Sequence, residues 1–397
     1  MKNQTRFWVL VVLCVLVWPV AAQTKTELPF VSAMQTATYD WRLEVSALQS
    51  AANESAVKLL DGGNLYVADT QKSFQVEVLG RAGGLMMVKT LTDKTALTKN
   101  DVILAALDAA SDAAAAQKIA QRAEGAGAGV LWFAGPSREA LKNIAGARVF
   151  PARQFFNLPY DNARGVESIS NIIGVWTWMA ALVSASVQRG KMPTVYTSNF
   201  MPDAMERNAQ FRKNPFHETT DVTTASLDNL PQRYLDQVAD ALYAMHQTQA
   251  DAFVRGGQVL REAKNGGHQV VVGYLGHMYP YELNAPSQLG WKNAAKYTAD
   301  ATVPAEVQDG DTLLFLGYQW FPYDMASALQ TRHIKSVVTS SRPPLDQWKT
   351  SEDIVFINPF WNVADAELSL RGYDIDILPI SGIMQGVVYW QLAELAQ

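Results

Sequence analysis

Apolar positions along this chain follow two rhythms: long stretches with helical spacing, and short unbroken runs closed off by turn residues. The helical pattern runs from about Ala33 to Leu60 and again from about Gln232 to Lys264. Each stretch stops at a glycine pair, Asp61-Gly62-Gly63 and Asn265-Gly266-Gly267. Glycine takes the left-handed conformation that ends a helix, so a strand is predicted after each stop. Those strands are Asn64-Leu65-Tyr66-Val67-Ala68 and His268-Gln269-Val270-Val271-Val272.

The later elements also run in parallel. A turn and buried strand at Lys99 to Ala106 match those at Asp309 to Leu316. Helices at Asp112 to Glu124 and Tyr323 to Thr331 follow, then strands at Gly129 to Ala134 and Ile334 to Thr339. After a further short strand, each series ends in an apolar helix, one beginning around Ser168-Ile169-Ser170 and the other around Pro379-Ile380-Ser381. Gly63 and Gly267, Asp101 and Asp311, and Ser170 and Ser381 lie 204, 210 and 211 residues apart. So steady an offset predicts an internal duplication. Alternating strands and helices predict a parallel sheet in each copy, covered on both faces, with ligands at the carboxyl ends of the strands.

Two segments stand outside the repeat. Residues 190–230 carry Pro193, Pro202 and Pro215 among polar residues and read as an extended arm and linker. The uncharged stretch Ile169 to Gln188 has the length of a membrane span, but Ser170, Asn171, Thr177, Ser184 and Ser186 interrupt it. It reads as a helix buried between the two copies. At the N-terminus, Lys2 and Arg6 precede the apolar run Phe7 to Val17, and Val20-Ala21-Ala22 supplies small residues for cleavage before Gln23. The expected layout is a signal peptide at 1–22, a first domain at 23–189, the arm at 190–230 and a second domain at 231–397, in a periplasmic or secreted protein with no stable membrane insertion after cleavage.

Composition narrows the function. Of 397 residues, 48% are hydrophobic and 18% charged, which suits buried cores. The net charge of −5 becomes −7 once Lys2 and Arg6 are removed, and no basic run stands out. Nucleic acid is therefore not an expected partner. Cys14 is the only cysteine and lies in the signal segment, so disulfides and cysteine chemistry are not expected of the mature chain. No metal-ligand spacing or dinucleotide fingerprint occurs, and neither metal nor cofactor is expected.

The first copy resembles the SIS (sugar isomerase) domain proteins, in particular their phosphosugar-binding branch. The resemblance lies in Leu65-Tyr66-Val67-Ala68-Asp69-Thr70-Gln71-Lys72-Ser73, in Arg81-Ala82-Gly83-Gly84-Leu85, and in the arm from Gly190 through Thr197-Ser198-Asn199 to Asn208. In the second copy, Gly276-His277-Met278 and Glu282-Leu283 are similar to the family's Gly-His and Glu-Leu landmarks. The resemblance implies α/β architecture: two tandem SIS-like three-layer units, each a parallel sheet of about five strands flanked by helices. It also implies a small-molecule partner, a sugar or phosphosugar, with aldose–ketose isomerase activity or a non-catalytic sensing role as alternatives. Such domains commonly pair, so a homo-oligomer is left open.

The chain departs from the family at its second loops. Leu107-Asp108-Ala109-Ala110-Ser111-Asp112 and Gly317-Tyr318-Gln319-Trp320-Phe321-Pro322 stand where serine-rich loops would cradle a phosphate. Asp108 and Asp112 would repel that group. Lys72 and Ser73 are the anion-facing candidates, although Lys72 reads equally well as a solvated lysine. Aromatic residues at Tyr274, Tyr279, Tyr281, Tyr318, Trp320, Phe321, Tyr323, Phe360 and Trp361 suit either sugar faces or packing between lobes. Candidate ligand contacts are Lys72, Ser73, Ser111, Tyr318, Gln319, Trp320, Ser198 and Asn199. Isomerisation needs a positioned base, for which His277, Glu282, Glu77 and His217 are the candidates.

Overall fold

The computed structural model describes residues 27–108, 113–134, 148–151, 160–275, 289–294, 302–349 and 351–397. The signal segment, Ser111, His277 and Glu282 lie outside them.

The first lobe opens with helix α1 (Pro29–Leu60), four residues longer than its apolar pattern predicts. Proline near its start is preset for helix, and the glycine stop is as expected: Gly62 has a φ of 87°, and Gly267 one of 76° at the matching turn. Strand β1 (Leu65–Val67), helix α2 (Lys72–Val78), β2 (Val88–Thr90), β3 (Val102–Leu107), α3 (Ala113–Ala126), β4 (Gly129–Ala134), β5 (Arg148–Pro151) and α4 (Tyr160–Val187) follow. In the second lobe come α6 (Leu230–Thr248), α7 (Ala250–Asn265), β6 (Val270–Tyr274), β7 (Lys292–Asn293), β8 (Thr312–Leu316), α8 (Tyr323–Thr331), β9 (Ser336–Thr339), α9 (Asp346–Lys349), β10 (Ile354–Ile357) and α10 (Ser381–Leu395).

Each lobe holds a five-stranded, wholly parallel sheet, ordered β2-β1-β3-β4-β5 and β10-β9-β8-β6-β7. Written as positions within each copy, both orders are 2-1-3-4-5. The duplication read from sequence spacing is thus present as a duplication of topology, in an α/β fold of two tandem units, each a parallel five-stranded sheet flanked by helices.

Two expectations need correction. The second long helix is broken at Gln249, whose φ is −111° and whose side-chain oxygen accepts the Asn358 N–H at 2.9 Å. The break lets α6 pack on α1 and α4 while α7 turns onto the second sheet. The arm is also more than extended chain, because it contains helix α5 (Ala204–Phe211) and buries Met192, Thr194, Val195 and Ser198. Leu85 and Val195 form an antiparallel bridge that ties it to the first lobe.

One apolar core serves both lobes. It contains Leu65, Val67, Leu104 and Phe133 of the first sheet, Val270, Val272, Leu314 and Val337 of the second, and the facing sides of α1, α4, α6, α7 and α10. Alternate strand residues face outward into two smaller cores, with Ile103, Ala105 and Trp132 in one and Leu313, Phe315 and Val338 in the other. The membrane-length stretch of α4 is 94% buried here, in keeping with its reading as an interlobe helix.

Candidate functional site

The sharp turn after α2 brings Gly80 and Ala82 against the arm. Gly83, with a φ of 72°, accepts the Leu378 N–H on its carbonyl at 2.8 Å and donates its own N–H to Tyr196 at 2.8 Å. A Cβ there would meet the Leu378 nitrogen at 2.9 Å, so only glycine allows the turn, the arm and the second lobe to approach this closely. Asn208 of α5 then braces the arm: its side-chain nitrogen donates to the Thr197 carbonyl at 2.9 Å, and its oxygen accepts the Thr197 N–H at 3.0 Å.

A cleft of about 530 Å³ opens between these pieces. Its walls are Gly80 and Ala82 of the turn, Tyr196 to Phe200 of the arm, Met205, Asn208, Ala209 and Arg212 at α5, and Tyr318 after β8. The rings of Phe200 and Tyr318, both in the lining, lie 5.6 Å apart. Loops after β8 and β9 are zipped together by Ser341 N–H to Tyr318 and Arg342 N–H to Gln319, which fixes the Tyr318 wall.

Beneath the cleft lies a sealed charge cluster. The Tyr318 hydroxyl donates to Asp365 Oδ2 at 2.7 Å, and Arg81 Nη2 lies 3.1 Å from the same oxygen. Arg81 also donates to Ser381 and sits 3.4 Å from Glu77, while the Ser381 N–H donates to Asp365 Oδ1 at 3.2 Å. Arg81, Glu77 and Asp365 are each about 1% exposed. Burial alone would lower the Arg81 pKa, but Asp365 and Glu77 outweigh it and hold the guanidinium charged. One guanidinium cannot neutralise two carboxylates. Asp365 also accepts the Tyr318 hydroxyl and the Ser381 N–H and is the ionised member, whereas Glu77 Oε2 has no hydrogen-bond partner among the described residues. Burial pushes the Glu77 pKa up to about 7, so Glu77 is the member that holds a proton below that pH. Asp365 and Leu378 both hold positive φ, at 51° and 66°. Backbone held this way marks a place where the surrounding structure dictates conformation.

The structure brings some sequence candidates together and separates others. Ser198, Asn199 and Tyr318 line one cleft, and buried Gln319 points its amide at Ser198 Oγ, 3.4 Å away, and at the Val363 carbonyl. Trp320 is exposed and lies under the Arg342 guanidinium at 3.6 Å. Lys72 and Ser73 diverge: Lys72 pairs with Asp69 at 2.9 Å, while Ser73 is buried against Ser168 at 3.1 Å. Glu77 is sealed under the cleft. His217 bonds to the Tyr373 hydroxyl at 3.0 Å outside the cleft lining, and burial lowers its pKa, with Arg207 adding to the effect. Phe321 belongs to the outer core, against Tyr323, Trp348 and Phe356. Asp108, read as repelling phosphate, is paired with Arg164 at 3.4 Å.

Sequence reasoning missed Phe200, Met205, Asn208 and Arg212 as lining. A signal existed, because Met205, Asn208, Ala209 and Arg212 stand at helical spacing on one face, but the prolines around them favoured a linker. Nothing local marks Asp365.

The fold and cleft define a two-lobed α/β protein with a polar, aromatic-rimmed site between its lobes. No protein-family model matches the chain, and no curated protein matches it. Among solved structures, it aligns with a candidate phosphosugar isomerase from Silicibacter pomeroyi DSS-3 at 10% identity, covering 92% of this chain and 96% of that one with a TM-score of 0.45. The C-terminal domain of glucosamine-fructose-6-phosphate aminotransferase from Francisella tularensis aligns at 10% identity, over 92% and 94% of the two chains with a TM-score of 0.45. For a candidate sugar binding protein from Salmonella typhimurium LT2 the values are 8%, 91%, 98% and 0.46. Identity this low gives no residue-level correspondence. The chain's own topology establishes the fold.

Proposed function

We propose that this protein binds a carbohydrate derivative in the interlobe cleft. The observation that carries the reading is the make-up of one wall set: hydroxyls and amides of Thr197, Ser198 and Asn199 beside the ring faces of Phe200 and Tyr318. Sugar rings offer apolar C–H faces and a rim of hydroxyls, which these two kinds of wall complement. A volume of about 530 Å³ lies within the range of small-molecule sites. The described lining holds neither histidine nor carboxylate, so binding is the reading put forward. Aldose–ketose isomerisation is the narrower alternative. Export is part of the proposal, resting on the charged start, apolar run and small residues before Gln23.

A thermal-shift screen against neutral sugars, amino sugars and their phosphates tests binding, because a ligand held only by the folded state raises the unfolding midpoint. A ligand that shifts wild type but not Ser198→Ala or Tyr318→Ala places it in the cleft, and no shift across the panel rejects the reading. Incubation of a binding sugar in heavy water tests isomerisation through exchange of its C2 hydrogen. N-terminal sequencing of the protein from the periplasmic fraction checks processing before Gln23.

A further inference from the structure

Helix α5 gives the cleft a direction. Met205, Asn208, Ala209 and Arg212 line it from one helical face, and seven residues at about 1.5 Å rise set Arg212 about 10 Å along the axis from Met205. The Met205 end is apolar: Met205 is 77% and Phe200 58% exposed, and both line the cleft. At the other end, Arg212 is shared with an adjoining pocket of about 110 Å³, whose lining includes Lys89 and Lys213. Three cations therefore gather at one end, and neither lining contains an aspartate or glutamate. Among the described residues, Arg212 has no carboxylate within salt-bridge distance, so its charge is not neutralised by an ion pair. Among the described residues, Lys89 donates to the neutral Asn64 side chain at 2.7 Å and has no carboxylate within salt-bridge distance. In a chain of net charge −5, such a local excess of positive charge attracts anions into the site.

Resting on the carbohydrate reading above, we infer that the ligand is an elongated saccharide with an acidic group at one end. Its sugar portion lies against the paired rings of Phe200 and Tyr318, and its carboxylate or phosphate reaches Arg212, flanked by Lys213 and Lys89. The spacing exceeds one pyranose ring, so a ligand of two sugar units fits the direction of the cleft better than a single one.

The test is calorimetric titration of the full chain with lactose, lactobionate, lactose 1-phosphate, glucuronate and inorganic phosphate. The two acidic disaccharides are expected to bind about tenfold tighter than lactose, the effect of one charge-assisted contact. Arg212→Ala and Arg212→Gln should weaken the two acidic disaccharides about tenfold more than lactose, erasing the preference, and added salt should weaken only the acidic ligands. Preference for carboxylate over phosphate, or the reverse, identifies the acidic group. Equal binding of lactose and its acidic forms, or an equal loss for all ligands in both Arg212 variants, overturns this inference and leaves carbohydrate binding standing. Glucuronate bound as tightly as lactobionate overturns the elongated ligand. Phosphate bound as tightly as lactose 1-phosphate, with lactose unbound, means a bare anion site and overturns both readings, as does failure of every sugar to bind.

Discussion

Glu77 and Asp365 approach Arg81 from different lobes, inside a space closed to water. Removing the better-bonded carboxylate leaves the buried guanidinium with only the Glu77 carboxylate, at 3.4 Å, so Asp365→Ala is expected to cost about 3–5 kcal/mol in denaturant unfolding. Tyr318→Phe removes one donor to an oxygen with others, and about 1–2 kcal/mol is expected. A Tyr318→Phe loss as large as that of Asp365→Ala would count against Asp365 being the centre of the cluster. Proton linkage gives a second test. Burial raises both Glu77 and Glu367 to about 7, against an ordinary value of 4.5. Between those values the folded chain holds more protons than the unfolded one. Stability from these groups is therefore full below about pH 4.5, falls as pH rises towards about 7, and then levels off, with a slope of at most ~1.4 kcal/mol per pH unit per group. Glu77→Gln keeps the neutral shape and should flatten that slope, unfolding later than wild type at about pH 8. Identical slopes in the two proteins would show that Glu77 is not the protonated member.

Among the elements, the duplicated landmarks prove to be duplicated hydrogen bonds. Asp101 accepts the N–H groups of Asn64 and Thr98 at 2.7 and 2.6 Å, and Asp311 accepts those of Gln269 and Gln308 at 2.9 Å each. In both copies the carboxylate joins the turn before the third strand to the start of the first. Asp101→Ala and Asp311→Ala should each strip two backbone donors of their partners and cost about 2–4 kcal/mol. A large cost at one site and none at the other would break the equivalence. This aspartate was legible because its partners sit in the same local turn pattern. The first helix tells the opposite story. The N–H groups of Phe30 and Val31 at the start of α1 are accepted by Gln391 Oε1 of α10, at 3.1 and 3.2 Å. No capping residue precedes Pro29, because the cap comes from the far end of the chain. Gln391→Leu should leave those donors buried without a partner, lowering the melting temperature more than Gln258→Leu on the exposed face of α7.

At the level of the whole molecule, the shared core makes the lobes one folding unit. Helices α1, α4, α6 and α10 pack against one another between the two sheets, so either lobe alone would expose the apolar faces the other covers. Full-length protein should unfold in a single transition, with tryptophan fluorescence and far-ultraviolet circular dichroism coinciding. Residues 23–189 expressed alone should lack cooperative unfolding and bind a hydrophobic dye. Two separated transitions in the intact chain would contradict this coupling.

The sequence by itself determined the parallel strands, the glycine stops, the duplication and the buried character of α4, because periodicity and turn chemistry report on a residue's own neighbourhood. It also marked Ser198, Asn199 and Tyr318 as candidate ligand contacts without saying that they meet. Only the tertiary structure decided that a turn at Gly80, an arm at Thr197, a helix at Met205 and a loop at Tyr318 enclose one cleft. The same holds for Arg81, whose partners Asp365 and Ser381 lie about 300 residues away along the chain. A buried polar group is stable only where distant segments converge to satisfy it, and local patterning carries no record of that convergence.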